Sequence, residues 1–266
     1  MKVAWPAPGS TRIYELGRLL EHGIPHHPVH PPFLFSLTKR HGEVMYADGV
    51  TAAADIFTTG GHTGTHIDAL GHVARHLEVH GGASMATGQS WTAGLPDQSI
   101  DLLPPLIGPA YLVDMTVQRG ERMGPDETIG PDDFERWFAT HPGPESGATV
   151  LVRTGWDELW DVDSQAYVGT STGTPGVDLG GARWLTDRGV AATGADTLAY
   201  EKMPSASIPV HVHLLKEAGV PILEALDLRG LAADSIYEFF LVALPLRIRG
   251  GTGSPIRPLA FAPSRV

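Results

Sequence analysis

The sequence predicts an α/β domain, with a mixed, partly parallel sheet and flanking helices. Three observations carry that expectation. Four short runs rich in apolar and β-branched residues read as strands, at 110–115, 149–154, 189–194 and 238–244. Segments with helical periodicity fall between them, and alternation of the two suggests a sheet with crossover helices. The 32 glycines and 22 prolines are spread along the whole chain, so they supply turns and not a linker.

In chain order, AYLVDM at 110–115 is the first strand of this set. A helix opens at Pro131-Asp132-Asp133, because proline fits a first turn and acids favour the positive end of the helix dipole. Phe134, Trp137 and Phe138 follow at i, i+3 and i+4, which puts them on one face. TVLVRT at 149–154 is the second strand. A second helix covers 181–188, with Gly189 as its C-cap, and leads into the run GVAATG. A third helix runs from Val212 to Gly219, and EFFLVAL at 238–244 is the last strand. Residues 20–32, 116–131 and 161–181 read as long loops; the last, rich in Gly, Thr and Ser, is either a domain boundary or a lid. With no internal repeat or low-complexity tract, residues 1–266 are expected to form one domain.

Composition excludes several classes of function. Nineteen Lys and Arg against 30 Asp and Glu give a net charge of −11, which argues against nucleic acid or an anionic membrane as partner. There is no cysteine, so disulfides, thiolate metal sites and thiol nucleophiles are out. The longest apolar run, 239–246, is far short of the about 20 residues a membrane helix needs. Pro6, Pro8 and Arg12 interrupt any apolar leader, so a cytoplasmic location and a small-molecule partner are expected. No GxSxG elbow occurs, and the glycine-rich RGGTGSP at 249–255 lacks the GK[ST] ending of a phosphate loop and reads as a hairpin turn. The pairs Asp132-Asp133 and Asp161/Asp163 read as a helix start and a solvated loop.

Histidine is the anomaly. Five of the thirteen lie between residues 62 and 80, in GGHTGTHIDALGHVARHLEVHGG (60–82). Imidazole and carboxylate are what zinc or manganese uses when no thiol is present. The glycines and threonines at 60–65 suit a tight turn, and His66 and Asp68, two apart, project to one face of an extended segment and could share an ion. The alternative is a helix over 69–80, with His72, His76 and His80 as a solvated stripe at i, i+4 and i+8. From the residues alone, both readings stay open.

The run His62-Thr-Gly-Thr-His66-Ile-Asp68-Ala-Leu-Gly-His72 resembles the HxGTHxDxPxH motif of the cyclase family, with Leu70 where the motif has proline. That family includes bacterial kynurenine formamidase, isatin hydrolase and related metal-dependent amidohydrolases. VLVRTGW (150–156), TGADTL (193–198), PVHVHLLKEAGVPILEAL (209–226) and ALPLRIRGGTGSPIRPLAF (243–261) extend the resemblance, the last as a C-terminal hairpin. The resemblance implies a swivelling β/α/β fold and one or two Zn2+ or Mn2+ ions per chain. The implied ligands are His62, His66, Asp68, His211 and Glu224, with Asp68 bridging where two ions bind and His213 competing with His211. His72 matches the proton donor and acceptor. The implied reaction is hydrolysis of a small cyclic or aryl amide by metal-activated water, in a homodimer or larger homo-oligomer. Ring formation or lactone processing on an aromatic or polyketide-like compound is the second reading. A non-catalytic metal- or ligand-binding protein is the third.

Two further features bear on substrate. Trp156 lines a pocket or packs in the core. The formamidase relatives place a tryptophan near the N-terminus at the substrate site, whereas here the comparable stretch carries His26, His27 and His30, either facing a ligand or forming a polar loop.

Overall fold

A computed structural model describes residues 11–263. The N-terminal prolines that argued against a leader lie outside the described residues. The strands are β1 (Thr11–Glu15), β2 (Leu34–Lys39), β3 (Ala54–Thr58), β4 (His66–Asp68), β5 (Leu106–Asp114), β6 (Thr128–Ile129), β7 (Thr149–Arg153), β8 (Gly176–Val177), β9 (Ala192–Ala195), β10 (Ile222–Glu224), β11 (Glu238–Ala243), β12 (Gly253–Pro255) and β13 (Leu259–Pro263). The helices are α1 (Met115–Arg119), α2 (Pro131–Phe138), α3 (Ser164–Val168), α4 (Leu179–Asp187), α5 (Pro209–His211), which continues as a wider π-type turn over Val212–Ala218, and α6 (Arg229–Ala233).

Nine strands form one mixed sheet in the order β1-β13-β11-β5-β7-β9-β10-β4-β12. The centre, β5-β7-β9-β10, is parallel, and every pairing outside it is antiparallel. β12 and β13 lie near opposite ends of this order, yet only residues 256–258 separate them. Four residue steps span at most about 14 Å, so the sheet must curl until its ends approach. The expected C-terminal hairpin over 243–261 is therefore corrected. β12 pairs with β4, while β13 lies between β1 and β11.

Both faces of the parallel centre are covered, so β7 is buried at all five positions. Its side chains alternate between two cores. Leu151, with Leu112 of β5, packs inside the curl against Ile67, Leu223 and Leu241. Val150 and Val152 pack outside against Phe134, Trp137, Trp184, Leu185 and Leu214 of the helical layer. The apolar face predicted for 131–138 holds for Phe134 and Trp137, with Asp133 closing the helix start onto the Gly130 amide at 3.0 Å. The second helix starts two residues earlier than predicted because Asp178 caps it, accepting from the Gly181 amide at 2.8 Å.

The stretch 161–181 is neither boundary nor lid. It contains α3 and β8, and Tyr167 is wholly buried with Trp156, Trp160, Ile24 and Leu198. That cluster also decides Trp156: it packs in the core and donates its indole N–H to the Tyr167 carbonyl at 2.9 Å. Residues 116–131, read as a loop, include most of α1 and all of β6. The β2–β3 hairpin stands apart from the large sheet, with Leu34, Phe35, Leu37, Ile56 and Phe57 exposed. Among the described residues, no helix is long and apolar enough to cross a membrane.

The carboxyl ends of the parallel strands are tied by buried charge. Asp196, just past β9, accepts from the Thr154 amide and hydroxyl and from the Gly155 amide at 2.8–3.1 Å, which pins the turn after β7. Arg153 bridges Asp114, Asp157 and Glu158. Burial and the nearby Asp196 push Asp157 up to about 7, against the pull of Arg153. Its folded pKa thus lies above the unfolded value, so its contribution to stability is complete at low pH and is lost as pH rises through about 7. Urea unfolding of the wild type and Asp157→Asn across pH 4 to 8 is expected to show the wild type losing stability relative to the variant as pH rises. A flat or rising difference would refute this assignment.

Candidate metal centre

Three chain segments meet beyond the carboxyl ends of β9 and β10, where ligands collect in open α/β sheets. The first is the turn 60–65 leading into β4. Gly64 adopts φ +71°, and a side chain there would strike Leu20 at 2.7 Å. Thr65 donates to the Ala225 carbonyl at 2.7 Å and accepts from the Arg18 amide at 2.8 Å, fastening the turn to the end of β10. β4 then presents His66 and Asp68 on one face, two residues apart, as an extended segment requires. Its antiparallel register sets His66 opposite Glu224.

The second segment runs from β9 through α5. Pro209 opens a helix, so His211 and His213 diverge. His211 turns into the centre, whereas His213 contacts Thr186 at 3.0 Å and Glu217 at 3.1 Å. The third segment is RGGTGSP, whose Thr252 hydroxyl lies 2.9 Å from His62 Nε2. Gly253 leaves room for that ring, since a Cβ there would sit 2.6 Å from His62 Cε1.

The centre is a buried mesh of imidazoles and carboxylates. His62 Nδ1 donates to Asp68 Oδ1 at 2.7 Å. His66 Nδ1 donates to the Gly64 carbonyl at 2.9 Å, which aims Nε2 at Glu224 Oε2, 3.2 Å away. His211 Nδ1 donates to Glu201 Oε1 at 2.6 Å and its Nε2 to Glu224 Oε1 at 3.1 Å. Asp68 Oδ2 is buried with no hydrogen-bond partner among the described residues. The His72 ring lies against His62 at 4.0 Å between centroids, and His30 packs against His62 at 5.0 Å.

Charge follows from this geometry. Burial would raise both carboxylates, but the imidazoles prevail: Glu224 is held at about 2 by His211 and His66, and Asp68 lies well below the usual carboxylate range, with His72 and His62 the leading partners. Burial would lower His211, yet Glu201 and Glu224 push it up to about 10, and Glu224 raises His66 likewise. His72 has no such carboxylate bond; burial takes it down to about 4, with Asp68 opposing. Burial, then His62, also lowers His30 to about 4.

Two triads place ligand atoms within 4.8 Å of one another: His62, Asp68 and His72, and His66, Asp68 and Glu224. The structure thus brings all six singled-out residues together. It also corrects the helix over 69–80. Leu70–His72 makes a short 3-10 turn and a second begins at His80, but between them His76 and Leu77 take positive φ and Arg75 bridges back to Glu78. His76 and His80 are therefore apart from the centre, with His80 bonded to the Lys216 carbonyl at 3.1 Å. Of the loop histidines, His30 stacks on the centre, while His26 contacts its own loop at the Ile24 carbonyl. Sequence reading missed Glu201 and Thr252. Neither has a telling spacing, and Glu201 matters only because the chain folds back to set it under His211.

The family described as "Putative cyclase" matches residues 14–202. The chain belongs to the cyclase family. The matched range includes His62, His66, Asp68 and His72 but ends before His211 and Glu224, which the geometry joins to them. An isatin hydrolase of Roseibium aggregatum is 26% identical over 223 residues, spanning 82% of this chain and 78% of the relative. A kynurenine formamidase of Salinibacter ruber is 30% identical over 203 residues, 74% of each chain. A solved cyclase structure superposes with a TM-score of 0.86 at 26% identity, covering 95% of this chain and 87% of that one. This cyclase-family fold accordingly carries the mixed, curled sheet described above.

Glu201 is expected to set the His211 charge. In Glu201→Gln, NMR titration of the His211 ring in metal-free protein should give a pKa below the wild-type value of about 10. An unchanged value would remove Glu201 from that role.

Proposed function

We propose that this protein is a metal-dependent hydrolase of a small cyclic or aryl amide. The observation that carries the reading is Asp68, a fully buried carboxylate with one oxygen unpaired amid His62, His66, His72, His211 and Glu224. An orphaned buried acceptor costs about 1–3 kcal/mol, and a cation would satisfy it. His66 and His211 fit that use, since each has its Nδ1 engaged by a carbonyl or carboxylate, the arrangement that orients metal-binding imidazoles. The cyclase-family relatives named isatin hydrolase and kynurenine formamidase supply the reaction class.

His66, Asp68 and Glu224, whose ligand atoms lie within 4.8 Å of one another, would hold an ion, with His62 and His211 beside them as the further ligands of one ion or two. A His and carboxylate set without thiolate suits zinc or manganese. The cation supplies Lewis acidity, which polarises the amide carbonyl and brings the pKa of a water toward about 7. His72, whose pKa of about 4 leaves it neutral near pH 7, takes the proton of the attacking water and delivers it to the leaving nitrogen. It is also the partly exposed member of its triad, open to proton exchange, whereas His62 and Asp68 are buried. The imidazoles hold both carboxylates ionised against the effect of their burial.

Elemental mass spectrometry of untagged protein is expected to find one or two zinc or manganese ions per chain. Chelation should abolish hydrolysis of formanilide and lower the melting temperature. A ratio near zero that persists after incubation with either ion would sink the proposal. His72→Ala is expected to keep its metal and lose on the order of 10²–10⁴ in kcat, the span of general acid–base catalysis. Loss of metal in that variant would make His72 a ligand instead.

A further inference from the structure

An apolar cleft of about 280 Å3 opens beside the centre. It is lined by His27 and Pro28, by Val168 and Leu198, and by Met203 and Pro204. None of its lining residues is Asp, Glu, Lys or Arg. Two walls run directly into the centre. Leu198 and Ala199 precede Tyr200, whose amide donates to Glu224 Oε1 at 2.8 Å, and Glu201, which holds His211. The His27 ring lies 5.8 Å from His30, and His30 lies 5.0 Å from His62.

The remaining wall is the Gly- and Thr-rich stretch 168–174, and it is a fixed one. Gly169 and Gly173 take φ of +66° and +82°, and a Cβ at either would meet backbone at 2.5 Å. Thr174 and Met203 exchange both backbone hydrogen bonds at 3.1 and 3.0 Å. The cleft is thus preformed, which spares a ligand the entropy of ordering it. A cavity of roughly 150 Å3 suffices for benzene, so this one admits a benzo ring with a linker.

We propose that this cleft seats the neutral aryl body of the substrate, with the amide at the His62–Asp68–Glu224 centre, and that it selects against aryl amides carrying a charged amino-acid side chain. A zwitterion placed there would lose its hydration without gaining an ionic partner. The proposal rests on the hydrolase reading for its amide, but the cleft is testable without turnover.

Full-length, metal-loaded wild type is compared with Thr170→Trp, which fills the cleft from an exposed lining position, and Met203→Trp, which fills it from a part-buried one. The readouts are fluorescence binding of neutral 2-aminobenzamide and kinetics on formanilide, on N-methylformamide and on an aryl formamide bearing a zwitterionic amino-acid side chain. Binding of 2-aminobenzamide should weaken at least tenfold in both variants. The kcat/KM ratio of formanilide to N-methylformamide should fall at least tenfold, mainly through KM. Wild type should prefer formanilide to the zwitterionic amide by at least tenfold. Unchanged binding and an unchanged ratio in a variant that melts like wild type would overturn the proposal, as would wild-type preference for the zwitterion. Failure of wild type on every amide would instead remove the hydrolase reading, and the 2-aminobenzamide comparison would still decide the cleft.

Discussion

Two carboxylates, Asp68 and Glu224, are buried side by side, and among the described residues no lysine or arginine is bonded to them. Like charges removed from water and set together are costly unless something positive meets them. Here the compensating charge comes from imidazoles, with the Tyr200 amide also donating to Glu224 at 2.8 Å, and each imidazole is held by a different piece of chain. His62 depends on Thr252, just before edge strand β12, His66 on the Gly64 turn, and His211 on Glu201. The curl of the sheet serves this requirement, because it brings β12 round beside β4 while the next strand returns to the other end.

The second buried charge cluster, around Arg153, solves a similar problem differently. Its carboxylates Asp114 and Asp157 share one guanidinium, and Asp196 is neutralised largely by backbone amides. That cluster carries the permanent positive charge of Arg153, although Asp114 Oδ2 also lacks a hydrogen-bond partner among the described residues. The imidazole cluster has none, and leaves an Asp68 oxygen unmatched. The difference separates a structural tie at the strand ends from a centre suited to hold a cation. Arg18 links the two, donating from its backbone to Thr65 beside the centre and from its side chain to the Asp157 carbonyl.

Much of this was readable in the sequence where signals are local. The apolar runs at 149–154 and 238–244 formed strands within one residue of their predicted limits, whereas the strand predicted at 110–115 starts four residues earlier, at Leu106. The HTGTHID run announced a turn followed by a two-residue alternation, and the backbone adopts both. The failures were also physical. Residues 69–80 have helical spacing of histidine, but His76 and Leu77 take positive φ and no run of backbone bonds can form. The Gly- and Thr-rich loop has the composition of a linker, yet close backbone approach makes its glycines obligatory packing.

The sequence by itself determined the ligand chemistry: no cysteine, a dense run of histidine with one aspartate, and an α/β alternation to carry them. Only the tertiary structure decided which distant groups complete the set. It chose His211 over His213 because a helix start turns residues two apart to different sides. It enlisted Glu201 and Thr252, which no spacing marks, through contacts made across 10 and 190 residues. Local backbone preference is written in neighbouring residues, whereas a contact between remote segments depends on how the whole sheet closes, and that is settled by burial summed over the entire core.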